Sequence, residues 1–307
     1  MITSTSQIER TLAYMNENAS GKELILFARS ISPSLGKKER RVTHFISNNY
    51  QELAQSTIGE VASHLQVSTA TITKVCKKLK CQGFLQLKKA IQSYIANDDY
   101  SGEDEDINAD FDSEDSNEVI LEKVMLNAIL AIQDTLGIVD HKAFDQAATI
   151  FRNKQPNQKI ILVGSGGSGI LCEDFQHKLL KIGIFAHVYK DTLMQVMFTS
   201  LINSGDIVLG ISHSGRTKNI LRIMEMATSR GAHTISLTNY MNSPITEFAS
   251  VNLVSTAKNT PITGENAAAR IVQLSILDAL YTSLVLKNTG ASYQNLMATS
   301  ESVKDYR

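Results

Sequence analysis

Short β-branched apolar runs alternate with longer amphipathic segments in the second half of this 307-residue chain. In the amphipathic segments 170–182 and 218–230, apolar residues recur every three to four positions, which is typical of a helix that buries one face. Strands that alternate with helices indicate a parallel sheet covered on both faces. We therefore predict a doubly wound, mainly parallel five-stranded α/β domain. The runs that predict its strands are 160–163, 186–189, 206–211, 234–238 and 251–255.

The first third of the chain shows helical spacing only. Leu24, Phe27 and Ile31 follow a helical pattern until Pro33 interrupts it, and Ser34 is placed to cap the helix that follows. This pattern predicts an all-α N-terminal domain. The other helices that the same spacing predicts are 56–65, 69–80, 119–151 and 267–286.

Residues 56–80 have the spacing of a helix-turn-helix motif. Ala62 is small where two helices would cross, Val67 is an apolar turn residue, and the second helix would bury Ile72, Val75, Cys76 and Leu79. Hydroxyls and lysines on the other face suit contacts with base edges and phosphates. The alternative is an ordinary helical hairpin whose lysines serve solubility. The candidate DNA-binding residues are Ser68, Thr69, Thr71, Thr73, Lys74, Lys77 and Lys78.

Two polar turns follow predicted strands in the second half. The Gly/Ser run 164–169 comes directly after the strand at 160–163, and the run 212–217 comes directly after the strand at 206–211. A strand, a glycine-rich turn and a helix N-terminus together present backbone N–H groups to an anion. Two such turns on neighbouring strands would surround one phosphate with several hydroxyls.

The net charge of −1 hides a strong segregation of charge along the chain. Residues 1–96 carry 13 basic and 6 acidic residues, residues 97–118 carry 11 acidic residues and no basic one, and residues 119–307 carry 17 basic and 14 acidic residues. The basic first part suggests an acidic polymer as its partner. The acidic stretch has too few apolar residues to fold, so it is expected to be a flexible linker, either a simple tether or a competitor of DNA for the lysine-bearing helix.

These boundaries predict three parts: a helix-turn-helix domain over 1–96 with an N-terminal extension over 1–23, an acidic linker over 97–118, and an α/β domain over 119–307. Composition is ordinary for a soluble protein, at 43% hydrophobic and 20% charged residues. We expect a cytoplasmic protein, because no apolar run approaches the roughly 20 residues of a membrane span and no signal peptide is recognisable. Three cysteines without further ligands at suitable spacing predict neither disulfides nor a metal site, and no cofactor is expected.

The motifs at 57–88, 163–169 and 212–217 together resemble the RpiR-type family of bacterial transcriptional regulators. The family joins an N-terminal helix-turn-helix domain to a C-terminal sugar isomerase (SIS) domain, and the resemblance covers nearly the whole chain. It implies a phosphosugar effector, with amino-sugar 6-phosphates as candidates, a DNA operator, and a homodimer or homotetramer. The recognition helix here has lysines where the family usually shows arginines. The residues that the resemblance assigns to the effector are Ser168, Ser212, Ser214, Thr217, Gly166 and Gly215, with Arg270 and His213 as further candidates.

Two other functions fit parts of the sequence. A sugar-phosphate isomerase needs a base over the sugar, and His213 or Glu265 is available for that role. A dinucleotide-binding domain would use the spacing of Gly164, Gly166 and Gly169, with Asp191 to bind the ribose. The second turn, 212–217, has no role in a dinucleotide site, and no group that would orient an isomerase base is evident. We therefore predict a regulator and not an enzyme.

Overall fold

The computed structural model describes residues 19–98, 111–257 and 267–306. The chain divides into two compact units, Met1–Ala109 and Asp110–Arg307. Most of the expected N-terminal extension, much of the acidic linker and Glu265 lie outside the described residues.

The described part of the first unit is helical. Its helices bury one face each around a small core that includes Phe27, Ile46, Leu53, Leu87 and Ile91. A 3-10 turn, Ser32–Ser34, separates the first two helices. The helices are α1 (Gly21–Ile31), α2 (Lys37–Asn48), α3 (Tyr50–Gln55), α4 (Ile58–His64), α5 (Thr69–Lys78) and α6 (Phe84–Asp98).

The helix starts differ in detail from the sequence-based predictions. Ser34 does not cap α2, because its hydroxyl donates to the carbonyl of Ile31 and Gly36 takes the capping position. Helix α1 begins earlier than the apolar pattern indicates, since Ser20 and Glu23 form a capping box ahead of Leu24. Side-chain capping adds helical residues that carry no apolar signal.

The second unit is an α/β fold with one five-stranded sheet. Two helices open the unit, and strands and helices then alternate up to the last strand, as predicted. The strands are β1 (Ile160–Val163), β2 (His187–Val188), β3 (Ile207–Ile211), β4 (His233–Thr238) and β5 (Val251–Val254). The helices are α7 (Asn117–Ile138), α8 (His141–Arg152), α9 (Gly167–Lys181), α10 (Thr192–Thr199), α11 (Lys218–Ser229), α12 (Ala267–Lys287) and α13 (Thr289–Ser302).

All strand pairs are parallel, in the order β2-β1-β3-β4-β5. Strands β1 and β3 are buried along their whole length because helices cover both faces of the sheet. One face packs against α8, α9 and α12, with Phe151, Phe175 and Leu277 fully buried. The other packs against α11 through Ile220 and Met224. The predicted doubly wound fold is therefore confirmed.

Some apolar positions in the second unit do not face the core. The spacing over 170–182 predicts that Ile170 and Leu180 share the buried face of α9. They are 62% and 47% exposed, so this prediction is wrong for both. The sheet is covered instead by Leu171, Phe175 and Leu179. Most of the apolar stripe predicted for α7 is also exposed. The exposed residues of this stripe are Ile120, Val124, Ile129 and Leu136, and Leu121 and Met125 beside them are exposed as well.

Helix α12 is long and apolar enough to cross a membrane by length and composition alone, which the sequence analysis did not expect. Its inner face nevertheless packs into the sheet core through Val272, Leu277 and Leu280, which are almost completely buried. This burial identifies α12 as a core helix of the α/β unit.

Candidate functional site

The two polar turns lie side by side at the carboxyl edge of the sheet. Strands β1 and β3 are neighbours and pair in register from Ile160 with Ile207 to Val163 with Gly210. The chain crosses from β1 to β2 on one side and continues with β3 on the other, so the strand order reverses between β1 and β3. Ligands of open α/β sheets bind in the crevice outside such a switch point.

The first turn runs from Gly164 to the start of α9. Gly164 sits against the backbone of Ser168, where a Cβ atom would come within 2.6 Å of the Ser168 carbonyl oxygen. Gly166 has φ +57° and occupies the position before α9, where no side chain caps the helix. Ser168 lies in the first turn of α9 and is half-buried. The positive end of α9 therefore opens at this turn with a serine beside it.

The second turn is tightly packed. The Gly215 N–H donates to the Ser212 carbonyl at 3.0 Å, and Gly215 has φ +62°. A Cβ atom at Gly215 would collide with the side chain of Ser243, so only glycine fits. The Ser214 hydroxyl accepts a hydrogen bond from the Arg216 N–H at 3.2 Å.

Ser212 and Thr217 are brought together across this turn. Their hydroxyl oxygens lie 3.0 Å apart, and Ser212 is only 2% exposed at the base of the turn. Thr217 holds the position before α11, yet no side chain caps that helix. Its hydroxyl is directed to Ser212 instead, so the N-terminus of α11, like that of α9, lacks a side-chain cap. Two neighbouring helix N-termini without side-chain caps leave backbone N–H groups available, and these favour binding of an anion between the helices.

Asn219 joins the two turns, a contact that the sequence analysis missed. Its side-chain amide, in the first turn of α11, donates to the Ser165 hydroxyl at 3.0 Å. This bond connects residues 54 positions apart and fixes the second turn against the first. The spacing of residues along the sequence does not reveal this pair, because the contact forms only when β1 pairs with β3.

Gln195 supports the first turn from within the fold and was also missed. Its side-chain amide donates to the carbonyls of Gly164 at 3.1 Å and Tyr189 at 2.7 Å, and the residue is 1% exposed. From the sequence alone, a glutamine among the apolar residues of α10 has no evident role. Its role becomes clear only from the two loop carbonyls that it contacts in the structure.

The remaining predicted effector residues, His213 and Arg270, are not among the groups that join the two turns. The His213 ring stacks edge-on against Tyr240 at 5.8 Å between ring centroids, next to the second turn. Arg270 lies on the exposed side of the first turn of α12, and no described residue hydrogen-bonds to its side chain.

Asp191, the candidate ribose ligand of a dinucleotide site, caps α10 by accepting from the Met194 N–H at 2.9 Å. A capping role accounts for this carboxylate without a ribose.

Hydrogen bonds continue from the second turn toward α7. The His213 carbonyl accepts from the Asn239 N–H at 3.0 Å, and the Asn239 side chain donates to the Ala257 carbonyl at 3.3 Å. Thr256, the neighbour of Ala257, is bound reciprocally by Thr135 of α7. The Thr135 hydroxyl accepts from the Thr256 N–H at 3.0 Å and donates to its carbonyl at 3.2 Å. Asn239, Thr256, Ala257 and Thr135 are all buried.

The helical unit contains the predicted helix-turn-helix geometry. Thr57 caps α4 and forms a full capping box with Glu60. The turn is closed by a hydrogen bond from the Val67 N–H to the Ala62 carbonyl at 3.0 Å, with Gln66 at φ +51°. The predicted inward residues of α5 are all buried: Ile72, Val75, Cys76 and Leu79.

The candidate DNA-binding hydroxyls surround the start of α5. Ser68 caps the helix by accepting from the Thr71 N–H at 3.2 Å, and the two hydroxyl oxygens are 2.9 Å apart. The Thr73 hydroxyl donates back to the Thr69 carbonyl at 3.0 Å. Ser68 and Thr69 are exposed, whereas Thr71 and Thr73 are half-buried.

Two of the three candidate lysines are held by a carboxylate that the sequence analysis did not single out. Glu39 of α2 receives Lys74 at 3.1 Å and Lys78 at 2.8 Å. Burial alone would raise the pKa of Glu39, but the two ammonium groups outweigh it and keep the pKa below its ordinary value. Lys77 is exposed and forms no ion pair within the part of the chain that the structure describes.

The cysteines are buried thiols. Burial raises the pKa of Cys76 to about 12 and that of Cys81 to about 11, and it raises the pKa of Cys172 as well. All three therefore stay protonated at neutral pH and serve as small core residues.

Two family models match this chain. A helix-turn-helix domain of the rpiR family matches residues 26–98, and a SIS domain matches residues 154–283. The first covers α4, α5 and the basic groups around them. The second covers the sheet and both polar turns.

Relatives and solved structures match across most of the chain. The HTH-type transcriptional regulator RpiR of Escherichia coli (strain K12) is 31% identical over 280 residues, which are 91% of this chain and 92% of that protein. The Vibrio vulnificus NanR protein complexed with ManNAc-6P matches 92% of this chain and 99% of its own, with a TM-score of 0.58 and 24% identity. The sugar isomerase domain of an RpiR transcription factor from Sphaerobacter thermophilus matches 59% of this chain and 98% of its own, with a TM-score of 0.54 and 18% identity.

Proposed function

This chain belongs to the rpiR family of helix-turn-helix transcriptional regulators, and from that premise we propose that it binds a phosphosugar at the sheet edge and adjusts its operator affinity accordingly. The family resemblance seen in the sequence is confirmed. The protein is a regulator and not an enzyme, since its curated relatives are named transcriptional regulators. The observation that carries the proposal is the bond from Asn219 to Ser165, which closes two polar turns around one crevice.

The parts of the chain that differ in charge are assigned different functions. We assign residues 1–96 to the DNA-binding domain, residues 97–118 to an acidic linker and residues 119–307 to the effector domain. The first two linker residues still belong to α6 and the last two already belong to α7. The linker separates a basic unit that binds an acidic polymer from a unit that binds a small molecule. Near its end, Asp115 pairs with Lys123 of α7 at 2.8 Å, so part of this acidic charge is already neutralised.

The phosphate of the effector binds between the two turns. Its oxygens accept from the hydroxyls of Ser168, Ser212, Ser214 and Thr217 and from backbone N–H groups at the starts of α9 and α11. Glycine at positions 166 and 215 lets the backbone approach the ligand closely. His213 and Arg270 contact the sugar, together with groups from a second copy of the chain.

An amino-sugar 6-phosphate is the effector class we favour. The Vibrio vulnificus NanR protein, which shares this fold over 92% of the present chain, forms a complex with ManNAc-6P. Hydroxyl-rich turns and uncapped helix ends suit a phosphate monoester, which offers three terminal oxygens to several donors. The sugar part selects among phosphosugars through the residues around the crevice.

The operator is read by the N-terminal part of α5. Ser68, Thr69, Thr71 and Thr73 provide hydroxyls for base edges and backbone, and Lys74, Lys77 and Lys78 provide positive charge. Lysine acts as a point charge and lacks the fork with which arginine grips guanine, so these lysines serve the phosphates more than the bases. Because its partner is DNA, we expect the protein to act in the cytoplasm.

A second copy of the chain completes the regulator as a homodimer or homotetramer. The exposed apolar face of α7, with Leu121, Met125, Ile129 and Leu136, suits burial against a copy of itself. Two recognition helices then meet DNA half-sites roughly 34–36 Å apart. A small change in that spacing is enough to change operator affinity.

Coupling runs from the second turn to α7. Binding at residues 212–217 shifts the His213 carbonyl, and the buried bonds through Asn239 and Thr256 transmit the shift to Thr135. Because α7 directly follows the acidic linker, its position affects how the DNA-binding domains are spaced. The effector in this way biases one of two arrangements of the assembly.

A thermal-shift screen of the full chain tests the proposal. A ligand present at 100 times its Kd and bound only by the folded form stabilises it by about 2.7 kcal/mol, which raises the melting temperature measurably. We expect an amino-sugar 6-phosphate to raise it, and the same sugar without phosphate to leave it unchanged. If no hexose or amino-sugar phosphate raises the melting temperature, the sheet-edge site is not an effector site.

A further inference from the structure

Helix α10 buries polar residues and exposes apolar ones. Gln195 is 1% exposed and Thr199 is completely buried, whereas Leu193 is 71% and Met197 is 62% exposed. Hydrophobic burial favours the opposite arrangement, because removing apolar surface from water is favourable and a buried polar group needs a partner. The contacts of the two buried polar side chains therefore show what α10 contributes to the unit.

The side chain of Gln195 connects the ends of two strands. Its Nε2 donates to the Gly164 carbonyl at 3.1 Å and to the Tyr189 carbonyl at 2.7 Å. Both partners are carbonyls, which only accept hydrogen bonds, so the orientation of the amide is fixed. Gly164 directly follows β1 and Tyr189 directly follows β2, and these strands are neighbours in the sheet.

The amide oxygen of Gln195 has no partner. Among the described residues no donor lies within hydrogen-bond distance of Oε1, which is buried. An unpaired buried acceptor lowers stability, and methionine would fill the same space without one. Thr199 differs, because its hydroxyl donates to the backbone carbonyl of Gln195 at 2.7 Å, within the same helix. The glutamine therefore contributes to the two strand ends more than to its own helix.

The bond to the Gly164 carbonyl decides how the next peptide group is oriented. In a planar trans peptide a carbonyl and the following N–H point in opposite directions, so the Ser165 N–H points away from Gln195. Gly169 leaves space for the carbonyl, since a Cβ atom there would lie 3.4 Å from the Gly164 oxygen. Within the described chain, the N–H groups of residues 165–167 donate to no acceptor. Successive N–H groups of this kind attract an anion.

We propose that Gln195 is a positioning residue for the effector. By holding the Gly164 carbonyl inside the fold, it keeps the N–H groups of residues 165–167 directed to the phosphate, although it touches no ligand atom itself. Without this bond the peptide after Gly164 rotates more freely, because glycine restricts its backbone least of all residues. The inference rests on the proposed effector function and adds to it a residue behind the first turn.

The test compares two variants of the full chain that each remove a buried hydrogen bond of α10. Gln195→Met keeps the length of the side chain and removes both bonds to the strand ends. Thr199→Val is the matched control, because the Thr199 hydroxyl contacts neither strand end. Calorimetric titration measures affinity for N-acetylmannosamine 6-phosphate, glucosamine 6-phosphate and inorganic phosphate, and circular dichroism melting shows that each variant is folded.

Gln195→Met should bind the phosphosugar that the wild type binds best about tenfold or more weakly, because hydrogen bonds to a charged phosphate are strong. Thr199→Val should keep the wild-type affinity. The amide NMR signals of residues 165–167 should shift when this phosphosugar saturates the wild type or Thr199→Val, and much less in saturated Gln195→Met. A purely structural role of Gln195 would not single out these three signals. Operator binding without effector should be equal in all three proteins.

Equal phosphosugar affinity in the wild type and Gln195→Met, or equal losses in both variants, would overturn the inference and leave the proposed effector function intact. If Gln195→Met does not fold, Gln195→Asn replaces it, because a shorter amide does not span both carbonyls. Wild-type affinity in Gln195→Asn would likewise overturn the inference. A wild-type chain that binds none of the three probes would overturn both the inference and the function on which it rests.

Discussion

The recognition helix and the sheet-edge site hold their candidate residues in opposite ways. All the candidate DNA contacts lie within residues 68–78, on one helix whose other face is buried, so a local pattern suffices to align them. The candidate effector site draws on two βα units, with Ser165 after β1 and Ser212 and Asn219 after β3, and their alignment depends on the pairing of β1 with β3. We therefore expect surface changes at the first site to leave the fold intact, whereas Ser212 and Gly215 of the second are packed within their unit.

If this contrast is correct, substitutions in one region should alter one function and leave the other unchanged. The variants below test that separation, from the largest expected effect to the smallest. Each is measured in the full chain by operator binding, by effector binding and by thermal melting.

Gly215→Ala should have the largest effect. Alanine at φ +62° is strained, and its Cβ would collide with Ser243, so the α/β unit should lose roughly 2–5 kcal/mol of unfolding free energy. Effector binding should be lost, and operator binding without effector should be kept. Gly290→Ala is the matched control, because nothing lies near its Cβ position. A Gly215→Ala protein that melts and binds effector normally would show that the second turn is not tightly constrained.

Ser212→Ala combined with Ser214→Ala should keep the fold and abolish the effector response. Two hydrogen bonds to a charged phosphate contribute about 1.5–3 kcal/mol each, so effector affinity should fall about 100-fold or more. Operator affinity without effector should equal that of the wild type. Ser229→Ala with Ser300→Ala, both exposed, is the control. Retention of both functions in the test variant would place the effector elsewhere.

Thr135→Val should separate the two functions without removing either. The change keeps the shape of the side chain but leaves the Thr256 N–H and carbonyl unpaired, at a cost of about 1–3 kcal/mol. Effector and operator should each still bind alone, while the change in operator affinity caused by effector should shrink several-fold. An unchanged effector response would mean that the signal does not pass through α7 at this point.

Glu39→Gln should have the smallest effect, in the opposite direction. Its carboxylate pairs with both Lys74 and Lys78 and offsets part of their charge. Its lowered pKa means that it is charged at pH 7 and that its stabilising ion pairs are lost only as the pH falls through that pKa. The variant should bind all duplexes about two- to threefold more tightly and with a steeper salt dependence. Glu52→Gln controls for net charge. Weaker binding than the control would mean that Glu39 orients the lysines for DNA instead of withholding them.

The sequence predicted the fold and both candidate regions because their signals are local. Buried parallel strands need β-branched apolar runs, and all five runs correspond to strands of the sheet. The turns that follow β1 and β3 were predicted from short runs rich in glycine and serine directly after each strand. The buried face of α5 followed directly from the spacing of Ile72, Val75, Cys76 and Leu79.

Features that depend on tertiary contacts could not be predicted in this way. The side chain of Gln195 can be buried because two loop carbonyls accept its hydrogen bonds. Glu39 pairs with a lysine of the recognition helix only because α5 lies next to α2. Ile170 and Leu180 match the helical spacing of α9 but lie outside the strip that the sheet covers. Apolar spacing gives the period of a helix, whereas packing decides which of its apolar residues are buried.

The most direct test of the account titrates a phosphosugar into the protein–operator complex. Fluorescence anisotropy of a labelled operator would be followed while N-acetylmannosamine 6-phosphate, glucosamine 6-phosphate or inorganic phosphate is added to the full chain. The account predicts that an amino-sugar 6-phosphate shifts the operator Kd at least fivefold in either direction, a coupling of about 1 kcal/mol, and that Ser212→Ala with Ser214→Ala abolishes the shift. An operator Kd that no hexose or amino-sugar phosphate changes, in a chain that binds the operator, would contradict it.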